Sequence, residues 1–211
     1  MPDTTVKFFA STMSGAPSIT RVAGSAIGVL DACLKDGFGG VTVNPLAVAA
    51  NVATATVSAG HNLAMLGAVG PVVRIAGATP SGLNGDWRIA SIPNSTTFTF
   101  ATSGISDQTA TGTITAQRAP LGFSKVYSGT NKAAYRADAV DGLQPYLRVD
   151  DASTQNAAVQ GYMSMSDVDT GSDAFPASAP YLYKIDDSRT SAPWWLIGDD
   201  KAFYLFSQTS T

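Results

Sequence analysis

From Val41 to Arg118 the apolar positions fall in short runs: VATATV (Val52 to Val57), VVRI (Val72 to Ile75), WRIASI (Trp87 to Ile92), TFTF (Thr97 to Phe100) and TATGTITA (Thr109 to Ala116). Each is rich in Val, Ile, Thr or aromatics and is bounded by Gly, Pro, Asn or Ser, the pattern of a small β-sandwich or barrel. In the last run Thr111, Thr113 and Thr115 alternate with Gly112, Ile114 and Ala116, so the second set is predicted to face a core. Ala50-Asn51 sits between the extended stretches Val41 to Val48 and Val52 to Val57 and predicts a tight hairpin. Pro93-Asn94-Ser95 predicts a second turn, which brings Trp87, Phe98 and Phe100 to a common core.

The flanks carry a different pattern. VKFF (Val6 to Phe9) reads as a strand, and a helix is predicted from about Ala26 to Asp36 with Ser25 as its N-cap. Its stripe is Ile27, Leu30 and Leu34, widened by Val29 and Cys33, and Gly37, Gly39 and Gly40 end it. Six strand candidates follow: FSKVYS (Phe123 to Ser128), YLRVD (Tyr146 to Asp150), AVQGYMSM (Ala158 to Met165), YLYKI (Tyr181 to Ile185), PWWLIGDD (Pro193 to Asp200) and AFYLF (Ala202 to Phe206). The expected class is therefore mainly β, with one amphipathic helix. Residues 1–40 and 119–211 form a discontinuous host domain, and 41–118 form an inserted all-β module bounded by Ala119-Pro120. WWLIG and FYLF around Asp199-Asp200-Lys201 predict a hairpin. Adjacent Trp194 and Trp195 must then point to opposite faces, one of them toward a subunit interface.

Composition narrows the function. The net charge is -3 with only 14% charged residues, and no basic patch is visible, which argues against nucleic-acid binding. Cys33, the only cysteine, reads as a small buried hydrophobe, so no intrachain disulfide is expected. No secretory leader and no bilayer-spanning run is expected, which points to synthesis in a cytoplasm without membrane insertion.

Candidate chemistry is sparse. His61, the only histidine, reads as a non-catalytic loop residue with no GxSxG or HExxH motif near it. Asp167, Asp169 and Asp173 resemble the first part of a calcium loop. The twelfth position from Asp167 is Ser178 instead of Glu, so a solvated acidic loop is the favoured reading. The pairs Asp150-Asp151, Asp186-Asp187 and Asp199-Asp200 read as turns. Phe38-Gly39-Gly40 lacks the GK[ST] of a phosphate loop. No enzyme activity, cofactor or firm metal site is expected.

The order of the motifs AGATP, LNG, TFTF and TATGT in the module resembles an Ig-like or barrel module of tailed-bacteriophage virion proteins. VKFF, SAIGVLDACLKDGFGG, YSGTNKAAYR, YLRVDD, GYMSMSDVDTG and PWWLIGDDKAFYLF extend the resemblance to structural proteins of siphophages and Mu-like phages. The resemblance implies a virion subunit, in the tail tip or baseplate, working through assembly with other phage structural proteins as a symmetric homo-oligomer such as a trimer or hexamer. A capsid decoration or minor capsid protein and a receptor- or glycan-binding module are the alternatives. Phe8, Phe9, Trp194, Trp195 and Tyr204 are the expected interface residues, chosen for their aromatic character.

Overall fold

The computed structural model describes residues 3–185 and 190–208. The chain is mainly β, as its apolar periodicity predicts. It divides into two compact units: Met1–Lys7, Met13–Gly15 and Gly37–Ala119 form the first, and Phe8–Thr12, Ala16–Asp36 and Pro120–Thr211 the second. In chain order β1 (Lys7–Ala10) and α1 (Ser25–Leu30) come before β2 (Phe38–Thr42), β3 (Leu46–Ala49), β4 (Val52–Thr56), β5 (Val72–Ala76), β6 (Gly85–Asn94), β7 (Thr97–Ala101), β8 (Gln108–Thr109) and β9 (Thr115–Arg118). There follow β10 (Phe123–Gly129), β11 (Lys132–Ala137), β12 (Tyr146–Asp150), β13 (Asn156–Met165), β14 (Gly171–Phe175), β15 (Tyr181–Tyr183), β16 (Trp194–Gly198) and β17 (Phe203–Ser207).

The first unit is an antiparallel sheet in the order β2-β9-β5-β6-β7-β4-β3-β8. The long strand β6 curls it: Gly85 to Arg88 pair with β5, and Ile89 to Asn94 pair with β7 through two register breaks. One apolar core results, with Leu46, Ala55, Ile75, Trp87, Phe98 and Phe100 among its members. Trp87 packs on Phe100 at 4.9 Å and donates its indole N–H to the Leu83 carbonyl at 2.9 Å. A buried indole N–H left without such a partner would cost free energy. Ala50 and Asn51 have φ of 48° and 63°, so the predicted hairpin is closed by two left-handed residues.

Two expected strands are interrupted here. The stretch Val41 to Val48 breaks at Asn44-Pro45, because Pro45 brings no N–H to a ladder. β2 accordingly pairs with β9, whereas β3 pairs with β4 and β8. Thr109 to Ala116 splits into β8 and β9 around Gly112 (φ 109°), where a Cβ would lie 2.2 Å from the Gly77 carbonyl oxygen. The predicted alternation survives the break: Ile114 and Ala116 are buried, and Thr113 and Thr115 are exposed.

The second unit holds a sheet ordered β10-β11-β12-β13-β14, with β15 also on β13, and a three-stranded sheet ordered β1-β16-β17. Ile27, Val29, Leu30, Cys33 and Leu34 are buried, so the helical stripe packs as expected. Its ends differ from expectation. Gly24, not Ser25, occupies the cap position with φ 84°, and the Ser25 hydroxyl turns back to donate to the Thr20 carbonyl at 2.8 Å. The first-turn amides of Ala26 and Ile27 instead donate to Asp151 Oδ2 at 2.8 and 3.3 Å. After Leu30 the regular helix gives way to a wider π turn, Asp31–Asp36, where Asp31 accepts bonds from the Tyr135 hydroxyl and Lys125 Nζ, each at 2.7 Å.

Candidate functional site: the outer face of the β16–β17 hairpin

Strand periodicity builds the site. β16 and β17 pair antiparallel with Trp195 opposite Phe206 and Ile197 opposite Tyr204. Trp194 and Leu196 point inward with no exposed surface, so Trp195 and Ile197 point outward. Their fractional exposures are 39% and 40%, and those of Tyr204 and Phe206 are 69% and 57%. Four large apolar side chains thus form two cross-strand pairs on one solvent-facing surface. Directly opposed pairs of this kind are in contact reach of each other.

Hydrogen bonds anchor the turn and the inner side of the hairpin. Asp199 Oδ1 accepts the amides of Lys201 and Ala202, both at 2.9 Å, and these bonds, the Ala202 amide foremost, draw the Asp199 carboxyl below its ordinary pKa. On the inner side the Trp194 indole donates to the Pro17 carbonyl at 2.9 Å, and the Ser11 amide donates to the Trp194 carbonyl at 2.9 Å. Beside the inward side chains of β17 opens an apolar pocket of about 400 Å³. Phe203 and Leu205 line it from β17, Leu30 from α1, and Phe123, Tyr135, Tyr146, Val149, Val159 and Phe175 from the larger sheet; among the described residues Lys201 is the one charged residue on its wall.

The five aromatics expected at an interface divide between core and surface. Trp195 and Tyr204 are on the outer face, Phe8 is half-buried, and Phe9 and Trp194 are in the core. Ile197 and Phe206 complete the face and were not among them. Their signal was present in the two-residue period of WWLIG and FYLF, which aromatic content alone does not use.

The other candidates sit elsewhere. Asp167 to Thr170 form the turn of the β13–β14 hairpin, closed by the Ser166 amide on the Thr170 carbonyl at 3.1 Å. Asp169 is engaged by Lys132 at 2.7 Å and Arg148 at 2.9 Å, whose hydrogen bonds lower its carboxyl pKa, and Asp173 falls within β14. Among the described residues no group of three or more His, Cys, Asp or Glu is placed to hold a metal ion.

His61 is a loop residue, but a buried one. Its Nδ1 accepts the Leu63 amide at 3.0 Å and its Nε2 lies 2.8 Å from the Asn94 carbonyl. Those two partners select the tautomer with the proton on Nε2, and the ring lies edge-to-face with Phe98 at a centroid distance of 5.6 Å. A carboxylate is not among these partners. Cys33 is fully buried, and burial pushes its thiol pKa far up, which makes it a packing group.

Asp150-Asp151 is more than a turn. Asp151 has no exposed surface, caps α1, and pairs with Lys184 Nζ, which is equally buried. Lys184 also donates to the Val22 and Ser153 carbonyls at 2.9 and 2.7 Å. Asp199-Asp200 is a turn as expected, and Asp186-Asp187 lies outside the described residues. No helix among the described residues is long and apolar enough to cross a membrane. Comparison of the chain with family models, with curated proteins and with solved structures finds no match.

Proposed function

We propose that this chain is a structural subunit of a tailed-bacteriophage virion, a tail-tip or baseplate component that works by protein–protein assembly. The observation that carries the reading is the outer face of the β16–β17 hairpin, where Trp195, Ile197, Tyr204 and Phe206 are all exposed. Contiguous exposed apolar surface on a soluble domain marks an interaction site, and aromatics are the residues enriched at such sites. The order of sequence motifs supplies the virion context. A chain so poor in charge offers its neighbours surface that is inexpensive to desolvate.

The glycan-binding alternative needs exposed tryptophans to stack on sugar rings. Trp87 and Trp194 are buried, which leaves Trp195 alone for that role. Cryo-EM reconstruction of the intact virion tests the proposal. Density for this chain at the distal tail is the expected result. Density on the icosahedral shell replaces the tail reading with decoration, and absence from purified particles overturns both.

A further inference from the structure

The backbone of β17 adds a second property to the aromatic face. The Asp199 amide donates to the Ala202 carbonyl and the Gln208 amide to the Pro193 carbonyl, each at 2.9 Å. With the register Ile197↔Tyr204 and Trp195↔Phe206, antiparallel alternation places those two pairs in the hydrogen-bonded class as well. Tyr204 and Phe206 therefore spend their backbone groups on β16. Phe203, Leu205 and Ser207 direct theirs to the other edge, where no further strand pairs with β17 among the described residues.

An apolar edge of this kind normally carries a protective device: a lysine, a proline, a bulge or a cover. FYLFS contains no charged residue and no proline, and its pairing with β16 shows no register shift. The segment is also nearly symmetric in character about Leu205, with an aromatic on each side.

We propose that β17 docks on β17 of a second copy of this chain, the two strands pairing antiparallel about Leu205. In that register Phe203 stands opposite the partner's Ser207, Leu205 opposite the partner's Leu205, and Ser207 opposite the partner's Phe203. These are the three residues whose backbone groups are directed outward, so every pair is a hydrogen-bonded one with two bonds. Tyr204 then faces the partner's Phe206 in the closer, non-hydrogen-bonded class, on the same outer surface as Trp195 and Ile197. The contact is isologous, as a two-fold interface requires. No charge opposes its like across the axis, because residues 203–208 carry none. The proposal rests on the assembly reading of the hairpin and names its partner.

Mixed-cysteine cross-linking tests both the pairing and its register. Non-hydrogen-bonded partners have Cα atoms about 4.5 Å apart, and diagonal neighbours are separated by about 7–8 Å. A disulfide tolerates about 4.4–6.8 Å. Tyr204→Cys mixed with Phe206→Cys is therefore expected to give a covalent dimer under mild oxidation, about tenfold more than either variant alone. Both positions are exposed and the native Cys33 is buried, so neither substitution removes a core side chain and the native thiol does not compete. Sedimentation equilibrium of the full chain should show a dimer, and Tyr204→Lys/Phe206→Lys should weaken it by at least about tenfold through like charges set opposite. A chain monomeric at all concentrations, or cross-linking no greater in the mixture, overturns the proposal. A chain located in the virion that fails these tests overturns the two-fold contact alone. A dimer of a chain absent from particles overturns only the virion reading.

Discussion

Phe100 on β7 and Leu205 on β17 are both inward-facing residues of regular antiparallel strands, yet their surroundings differ. Phe100 is fully buried against Trp87 in a continuous apolar cluster, whereas Leu205 borders an apolar pocket of about 400 Å³. The outer faces differ in the same sense. On β6 and β7 the outward residues include Ser91 and Thr99, whose hydroxyls bond each other at 2.8 Å, while on β16 and β17 they are Trp195, Ile197, Tyr204 and Phe206. In the first unit the inward aromatics meet a continuous core and these outward hydroxyls meet each other. In the second, apolar surface is left unmatched on both sides of one hairpin, and local rules tend to be broken where a protein has work to do.

The largest effect is expected where the second unit relies on charge. Asp151→Ala removes the buried partner of Lys184 and the acceptor of two helix amides together, so urea unfolding should show a loss of about 3–5 kcal/mol. The double variant Asp151→Leu/Lys184→Met removes both charges and should recover part of that loss, because a lone buried ammonium is the main cost. A cycle in which the double variant is no better than Asp151→Ala would leave the helix cap as the dominant role. The counterpart in the first unit is Phe100→Ala, whose cost of about 3–5 kcal/mol comes from transfer and cavity terms.

Adding volume separates the units more sharply than removing it. Ala55 is fully buried in the first core, so Ala55→Phe overpacks it and should cost about 1–3 kcal/mol. Val159 lines the pocket of the second unit, so Val159→Phe fills space and should raise stability by about 0.5–2 kcal/mol. Equal destabilisation by the two changes, measured as shifts in denaturation midpoint, would remove the distinction between a closed and an open core.

This contrast was only partly legible in the sequence. The module strands, the Ala50-Asn51 turn and the β16–β17 hairpin follow from alternation and turn chemistry, which are local. The break at Pro45 was equally local, but the apolar run around it masks a strand that changes neighbours. β11 was missed because Ala133, Ala134 and Tyr135 are consecutive and all buried, so no two-residue period remains. β14 was missed because its five residues are all exposed and carry the acidic pattern of a loop. The cap on α1 comes from Asp151, 125 residues beyond Ala26, a distance over which no spacing rule operates. The aromatic face was half legible: composition found Trp195 and Tyr204, while pairing register was needed to add Ile197 and Phe206.

A smaller effect is expected from pH, and it belongs to the first unit. Desolvation raises the pKa of Asp86, but the hydrogen bonds and charges of Arg74 and Lys7 outweigh it and hold the carboxyl below its ordinary value. A depressed folded-state pKa stabilises the protein above the unfolded value of about 3.9, and that contribution is lost as pH falls through the folded value. Wild type should therefore lose stability in acid below about pH 4, and Asp86→Asn should flatten that part of the profile while lowering stability at neutral pH. An unchanged acid limb would assign the sensitivity to other carboxylates.

The smallest expected effect on stability is the one most closely tied to function. Phe206→Ser removes one exposed cross-strand pair with Trp195, and Thr99→Ala removes the exposed hydroxyl pair with Ser91. Each should cost about 0.2–1 kcal/mol, since both pairs lie on solvent-facing sheet surface. Their effects on association should separate completely. Phe206→Ser takes an aromatic from the apolar face and should weaken self-association by about tenfold, because a truncated interface anchor costs more than about 1 kcal/mol. Thr99→Ala should leave association unchanged. Thermal denaturation and sedimentation on the same samples make the comparison, and a matched loss of association in both variants would mean that the hairpin face is no more an interface than the polar face of the first unit.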